Sequence, residues 1–454
     1  MRNVLSYYLN AGSLKARTAR SSFLSVIGFG GHNVLRLASN LVLTRILFPE
    51  AFGLMALVGV VQTGLQMFTD IGLRSSVIQN ERGGDPEFLN TTWVLQIGRG
   101  IILWIATAAL AIPAANFYDA PLLAWLLPVT GLNALILGFS STKMMTANRE
   151  LMMGRVVGLM LGCQFLGICC TIALALWLQS VWAIVLGGLV NVGTRAVLSH
   201  FVLTGFPNRF IFNREIARQL IGFGKYVFLA TLGGFIINQA DRAILGKLIS
   251  LDTLALYSIG LMLATVPRHL VQALSTQVIF PLYARRPPAE NAENRRKINV
   301  ARRLLTGGAL CASSVLALIG VELVAFLYDP RYEAAGPMTV LLALAMMPPM
   351  ILISYYRLPM SAGNSKRFAL ITLSLALIQL GAMVLGALNF GLGGVAIAPG
   401  VAAILFYPAL IWLIRPYKGW DPIHDAGYFA VVCGLATLAY LRYSDQILPL
   451  FAPL

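Results

Sequence analysis

Residues 22–47 read SFLSVIGFGGHNVLRLASNLVLTRIL. The stretch is long and apolar enough to cross a bilayer, since about 20 helical residues at 1.5 Å rise span ~30 Å of hydrocarbon. Arg36 nevertheless sits near its middle, with His32 one turn earlier. Even the mildest insertion scale puts an arginine at that depth at a cost of ~3 kcal/mol. Such a residue is kept where it faces a polar interior, and it predicts that something anionic binds or passes there.

Outward from this segment the chain keeps the same character. Of its 454 residues, 58% are hydrophobic and 11% charged, more apolar surface than a soluble domain hides, so the class is an all-α polytopic membrane protein. Residues 1–21 hold Arg2, Lys15, Arg17 and Arg20. The following run is full length and lacks a small-residue cleavage site, so we expect an uncleaved cytoplasmic N-terminus. A net charge of +16 would suggest nucleic acid in a soluble protein. Here it reflects basic inner loops and anionic lipid headgroups, and no nucleic-acid partner is expected. Cys163, Cys169, Cys170, Cys311 and Cys433 lie inside apolar runs without metal or redox spacing, so they read as packing residues. The four histidines form no cluster, and no metal or cofactor is expected.

The spanning ruler gives candidates at 22–46, 50–71, 89–112, 121–142, 156–177, 181–204, 216–240, 254–281, 304–327, 336–356, 368–388 and 393–414. A shorter apolar run follows at 427–441, and the tail from Gln446 to Leu454 is either a short further segment or interfacial. With the N-terminus in the cytoplasm, about 27 of the 34 basic residues fall on the inner side. Arg74, Arg82, Arg99, Arg195, Arg302 and Arg357 are among them, and Arg36 and Arg268 are left in the membrane. Outer loops are short, and the longest connection, 283–303, is basic and intracellular. No soluble catalytic domain fits anywhere.

The chain repeats itself weakly. Phe29-Gly30 and the hinge Leu47-Phe48-Pro49-Glu50 in the first half answer Phe223-Gly224 and Ile249-Ser250-Leu251-Asp252 in the second. Six spans per half is an even number, which predicts parallel repeats related by a pseudo-two-fold along the membrane normal. The expected division is a six-helix bundle over 22–212, a second over 213–415, and one or two extra membrane segments in 416–454.

Two polar stripes stand out. His32, Asn33, Arg36, Ser39 and Asn40 fall within an arc of roughly 120° on a helical wheel. Gln62, Thr63, Gln66, Thr69 and Asp70 make a similar arc on the second span. Neither faces lipid readily. They either line one cavity or hydrogen-bond each other as interhelical glue. The second half offers Asn238 with Asp241 and Arg242, then Arg268 and His269 directly after Pro267, with Gln272 beyond. A proline there frees a carbonyl and bends the helix. If the repeat holds, Arg36 and Arg268 would face each other across a central cavity. A guanidinium suits phosphate, because its planar fork donates paired hydrogen bonds. Tyr355, Tyr356 and Arg357 end the tenth span, where tyrosines either stack on sugars or form an interfacial belt. Asp70, Asp241 and Glu322, with His32 and His269, are the candidates for a coupling ion.

Several motifs in order carry a family likeness. Leu43-Thr44-Arg45-Ile46-Leu47-Phe48-Pro49-Glu50-Ala51-Phe52-Gly53-Leu54 and Phe68-Thr69-Asp70-Ile71-Gly72-Leu73 resemble the first hinge region of the bacterial polysaccharide transporters, the Wzx-like oligosaccharide flippases. Asp241-Arg242-Ala243-Ile244-Leu245-Gly246, Leu256-Tyr257-Ser258 and Val278-Ile279-Phe280-Pro281-Leu282 resemble the same family. The resemblance implies two six-helix bundles in a V, shared with multidrug exporters and the lipid II flippase. It implies a non-enzymatic exporter in the bacterial inner membrane that moves undecaprenyl-pyrophosphate-linked oligosaccharide outward by alternating access, driven by an ion gradient. A polysaccharide polymerase and a chain-length regulator would be its partners. Arg36, His32, Asn33, Asn40, Gln62, Gln66, Arg268, His269, Asn238 and Gln272 would then bind substrate. The runner-up is the same fold exporting another amphipathic cargo, a drug or a different polyprenyl lipid. A polytopic polymerase is a third reading, disfavoured because no large outer loop is present.

Overall fold

The computed structural model describes residues 14–69, 72–150 and 152–453. Among them the chain is helical almost throughout and contains no strand. The long helices of the first part are α1 Leu14–Ile46, α2 Pro49–Phe68, α3 Pro86–Ala109, α4 Leu123–Gly138, α5 Met153–Leu178 and α6 Trp182–Phe201. They are followed by α7 Arg214–Leu248, α8 Leu251–Leu274, α9 Ala292–Leu327, α10 Ala335–Leu352, α11 Ser365–Ile414 and α12 Pro422–Ile447. Nine helices among the described residues are long and apolar enough to cross a membrane, or ten if α4 and Lys143–Arg149, bent by 59°, form one span. The protein is a multi-pass membrane protein, and each of the twelve spans expected from the sequence falls on one of these helices.

One of the nine is itself two. A straight helix of the length of α11 would run about 75 Å, far beyond ~30 Å of hydrocarbon. It breaks at Phe390 (φ −133°) and Gly391 (φ +55°). The second value lies in the left-handed region that glycine enters without strain. Its two limbs then pack so closely that a Cβ on Gly386 would lie 2.6 Å from the Gly394 backbone. α11 is therefore a helical hairpin.

The hinge repeat seen in the sequence is also a backbone repeat. α1 and α7 each stop two residues before the next helix starts, and both N-caps are extended: Phe48 at φ −73°, ψ 153° and Ser250 at φ −65°, ψ 156°. Pro49 at the first helical position and the Ser250 side chain, which accepts from the Thr253 amide, each suit a helix start.

The chain divides into two compact units. Unit 1 holds Met1–Phe48 and Val61–Phe228, and unit 2 holds Pro49–Val60 and Leu229–Leu454. In unit 1, α3 packs on α4, and α5 packs on both α1 and α6. In unit 2, α10 is the central helix, with Val340, Leu342, Ala343, Met347 and Ile351 fully buried. The first turns of α2 join unit 2, where Gly53 lies against the Leu251 carbonyl and Phe52 meets the edge of Tyr332 at 6.1 Å. Large apolar side chains point outward, Trp177, Phe201 and Phe326 among them. Lipid covers such surface, so helix association rests on close packing and hydrogen bonds rather than on escape from water.

After a 3-10 turn at Arg415–Tyr417 the chain forms one long helical run, kinked at Tyr443 (φ −126°, ψ 19°). α12 is 26 residues and ends in a single 3-10 turn at Leu448–Phe451. Polar contacts fix it at both ends. Near its C-terminus, Glu322 accepts from Arg442 at 2.8 Å and from the Tyr443 hydroxyl at 2.5 Å, while Phe451 and Ala452 fold onto Gly393 and Gly391. At its N-terminus, Asp425 is buried and accepts from Tyr355 (2.9 Å), Tyr407 (2.8 Å), Trp420 (3.1 Å) and His424 Nδ1–H (2.7 Å). The Thr306 hydroxyl donates to His424 Nε2 at 3.0 Å, and Arg303 forks onto Asp421. Arg302, wholly buried, donates to the Tyr283 hydroxyl at 2.7 Å and stacks on the Tyr355 ring at 4.1 Å. The network surrounds one enclosed cation whose Nη2 is bonded and whose Nε and Nη1 are buried without an acceptor among the described residues.

Candidate binding cavities

Unit 1 carries a cavity of about 290 Å³ between α1, α5 and α6, lined by His32, Gln164, Asn191 and Arg195 among apolar neighbours. His32 Nδ1–H donates to Gln164 Oε1 at 2.7 Å, and Gln164 Nε2 returns a bond to the His32 carbonyl at 3.0 Å. That pairing orients the imidazole and assigns the proton to Nδ1, leaving Nε2 to meet a ligand. Arg195 Nε is buried without a hydrogen-bond acceptor among the described residues. The sequence reading counted Arg195 with the inner-side charges, inside the span 181–204; the structure adds that it lies in α6 on a cavity wall. A hydrophobicity ruler cannot see this, because one arginine near the end of an apolar run reads equally as a loop residue.

The first polar stripe splits on inspection. Arg36 is exposed one turn beyond His32 on α1 and is not part of that cavity's lining. Asn33 donates to the Phe29 carbonyl four residues back, at 2.8 Å, so its amide is used within its own helix. Asn40 is half-buried further along. On α2, Gln62 has a buried amide nitrogen without an acceptor, and Gln66 is exposed. The Gln66 carbonyl accepts from Arg99 at 2.8 Å, and Arg99 Nε also donates to Thr69 Oγ1 at 3.2 Å. Arg99, counted with the inner-side charges, lies within the expected span 89–112 and within α3. Asp70 lies outside the described residues.

Unit 2 carries its own cavity, about 180 Å³, lined by Asn238, Arg268, Gln272, Tyr356, Arg357 and Gln379 with apolar residues of α10 and α11. Arg268 follows Pro267 in α8, which runs on into a π turn at Ser275–Ile279. Such turns are frequent at functional sites. The guanidinium donates to Asn238 Oδ1 and to Met346 Sδ, both at 3.4 Å. These are long contacts to neutral groups, so most of its donor capacity is unspent. Asn238 is oriented by its own bond to the Gly234 carbonyl at 2.7 Å, and the Tyr356 hydroxyl is buried without a hydrogen-bond partner among the described residues. Arg357, counted from sequence as an inner-loop charge, faces this cavity too. Its neighbour Tyr355 turns the other way, into the Asp425 network. His269 is half-buried and is not part of the lining.

The remaining coupling candidates differ in surroundings. Asp241 is buried, accepts from the Tyr257 hydroxyl at 2.9 Å, and keeps Oδ1 without a donor. Glu322 is tied to α12 as described.

An all-helical membrane protein with arginine-bearing cavities inside its helical units is the class these features define. Residues 42–337 match the polysaccharide biosynthesis protein family, and the chain belongs to it, in line with the motif resemblance. It is 24% identical over 295 residues to an "Uncharacterized membrane protein in cps region" of Klebsiella pneumoniae, covering 64% of this chain and 60% of that one. It is 21% identical over 320 residues to the lipopolysaccharide biosynthesis protein WzxC of Escherichia coli (strain K12), covering 70% and 63%. The chain thus spans about three-fifths of the length of these relatives. Among solved structures, the lipid II flippase MurJ in an inward closed conformation matches with a TM-score of 0.69 at 13% identity, over 93% of this chain and 92% of that one. That likeness is one of fold.

Proposed function

We propose that this protein is a flippase that carries undecaprenyl-pyrophosphate-linked oligosaccharide across the bacterial inner membrane for surface polysaccharide synthesis. The observation that carries the reading is Arg268. It is a deep arginine on a cavity wall whose hydrogen bonds among the described residues go to neutral partners at 3.4 Å, with Arg357, Tyr356 and Gln272 beside it. An anion with several oxygens, such as a pyrophosphate, is the ligand that two guanidinium forks and a phenol hydroxyl suit best. In the other unit Arg36, Arg195 and His32 offer a second basic surface, and Asn40, Gln62 and Gln66 offer neutral donors and acceptors of the kind sugars use.

Translocation follows from alternating access of two repeated six-helix bundles, residues 22–212 and 213–415, with the N-terminus cytoplasmic. Asp241 is the carboxylate best suited to bind a coupling ion, since one oxygen is buried and unpaired. Glu322, engaged by Arg442 and Tyr443, suits a structural part. A polymerase and a chain-length regulator would receive the product on the outer side. Family membership and the names of the two relatives support this reading of the cargo. The test is a deletion strain complemented with Arg36→Ala or Arg268→Ala. Surface polysaccharide is lost while the protein still reaches the membrane; full export by both variants overturns the reading.

A further inference from the structure

Unit 2 has a second basic cavity, at the far side of the α11 hairpin from its Gly391 bend. It measures about 490 Å³ and is lined by Lys366, Arg367 and Arg415 together with Leu370, Trp412 and Leu413. We propose that it binds the headgroup of an anionic bilayer phospholipid, the phosphodiester on the three cations and the acyl chains along the apolar wall. Its lining shares no residue with the cavity around Arg268, and the lipid bound here is not the transported cargo.

The layout follows from helix geometry. Lys366 and Leu370 are four residues apart on the first limb of α11, and Trp412 and Arg415 are three apart at the end of the second. Residues at those spacings share a helix face about one turn, ~5 Å, apart. Both limbs therefore present a charge at the rim and an apolar side chain one turn deeper, the order in which a lipid presents phosphate and tail. Trp412 is 71% exposed and Leu370 47%, so the apolar wall opens outward. A tryptophan there fits the headgroup level, where its ring is favoured.

Among the described residues these charges have no acidic partner. Residues 334–420 contain no Asp or Glu at all. Among the described residues the ion pairs at this end use Arg303 with Asp421 and Lys297 with Glu293, and none involves Lys366, Arg367 or Arg415. Arg367 lies over the Tyr417 ring at 5.7 Å, which steadies it without neutralising it. The first turn of α11, capped by Asn364 accepting from the Arg367 amide at 3.0 Å, adds the positive end of a helix dipole. Basic pockets beside spanning helices on the cytoplasmic side are suited to anionic headgroups.

The experiment uses the full-length protein purified in a neutral detergent and titrated with phosphatidylglycerol or phosphatidylcholine of identical chains, read by native mass spectrometry. Phosphatidylglycerol is expected to bind at least about tenfold more tightly, since each basic residue near a headgroup contributes measurably. Lys366→Gln/Arg367→Gln/Arg415→Gln brings the two lipids to within about twofold, whereas Arg295→Gln/Arg296→Gln/Lys297→Gln keeps the preference. A triple variant that retains the preference, or a control that loses it equally, overturns the site. Millimolar inorganic phosphate that displaces the lipid completely overturns the lipid assignment in favour of free phosphate. On the wild-type protein, a photoactivatable phosphatidylglycerol should crosslink to peptides containing residues 364–370 or 412–416; crosslinks confined to other peptides reject the proposal without any substitution.

Discussion

Arg268 and Arg302 both lie inside unit 2, and the protein treats them in opposite ways. Arg302 is enclosed, with a 2.7 Å bond to Tyr283, the Tyr355 ring 4.1 Å below it, and Asp425 bonded to that same tyrosine. Arg268 borders a cavity, and its hydrogen bonds among the described residues go to an amide oxygen and a thioether, both at 3.4 Å. A deep arginine is therefore not by itself a sign of a ligand. The closeness of the partners separates the two, 2.7 Å to a hydroxyl for Arg302 against 3.4 Å for Arg268.

The sharpest way to break the comparison is to remove each arginine in turn. Arg302→Ala opens the network and leaves Asp425 buried among donors without its nearby cation. Truncating one member of a buried charged set costs about 3–5 kcal/mol, so we expect a large fall in Tm and in folded yield. Asp425→Ala should fall as far, because four donors lose one acceptor. Arg268→Ala should shift stability by no more than about 1 kcal/mol, while export is lost. Arg268→Lys should recover export only in part, since an ammonium cannot donate as a fork. Thermal unfolding beside surface-polysaccharide assays separates the two roles, and equal Tm losses for Arg302→Ala and Arg268→Ala would erase the distinction.

His32 and Gln164 form an intermediate case, a reciprocal pair on a cavity wall. A double-mutant cycle with His32→Ala and Gln164→Leu should give a coupling of about 1 kcal/mol, and a value near zero would mean that the pair does not hold the imidazole. The Glu322–Arg442 pair is more exposed, and Glu322→Gln should leave export intact with a minor Tm change. Abolished export at unchanged Tm would restore Glu322 as a coupling residue.

The mildest case is Arg82, an arginine in an exposed turn beside Asp85, 2.8 Å away. The Arg82 hydrogen bond, and then the Glu87 amide, hold the Asp85 carboxyl below its usual range. A depressed carboxylate stabilises the fold above its unfolded pKa, about 3.9, and that contribution is lost as pH falls through the folded value. Exposure and salt screen the pair, so acid titration of wild type against Asp85→Asn should differ only slightly, and only below about pH 4. A marked difference at neutral pH would show that the turn depends on more than this pair.

Much of the fold was legible because hydrophobic runs of spanning length have few other uses. The hinge at Phe48-Pro49 and its echo at Ser250-Leu251 could be read as a repeat from residue type, and they share a backbone conformation. The number of segments after residue 415 could not, since α12 starts on Pro422-Ile423-His424-Asp425, a run whose polar groups are buried by partners distant in sequence. The same limit applies to the cavities. Arg268 was legible, as a charge no loop could explain. Arg357 was not, because it directly follows the end of a span, where a basic loop residue is ordinary; Arg99 and Arg195 lay inside expected spans, 89–112 and 181–204, yet were counted with the inner-side charges. Nor could sequence distinguish Tyr355 from Tyr356, neighbours whose hydroxyls serve different sites.

The central claim is that the cavity around Arg268 carries a lipid-linked pyrophosphate glycan outward. The direct measurement is the leaflet in which that glycan resides in cells complemented with Arg268→Ala, read by its accessibility to a membrane-impermeant glycan label in spheroplasts. The account predicts that it accumulates on the cytoplasmic leaflet, as in the deletion strain, with the variant present in the membrane at wild-type level and Tm. Glycan reaching the outer leaflet at the wild-type rate in that variant would contradict it.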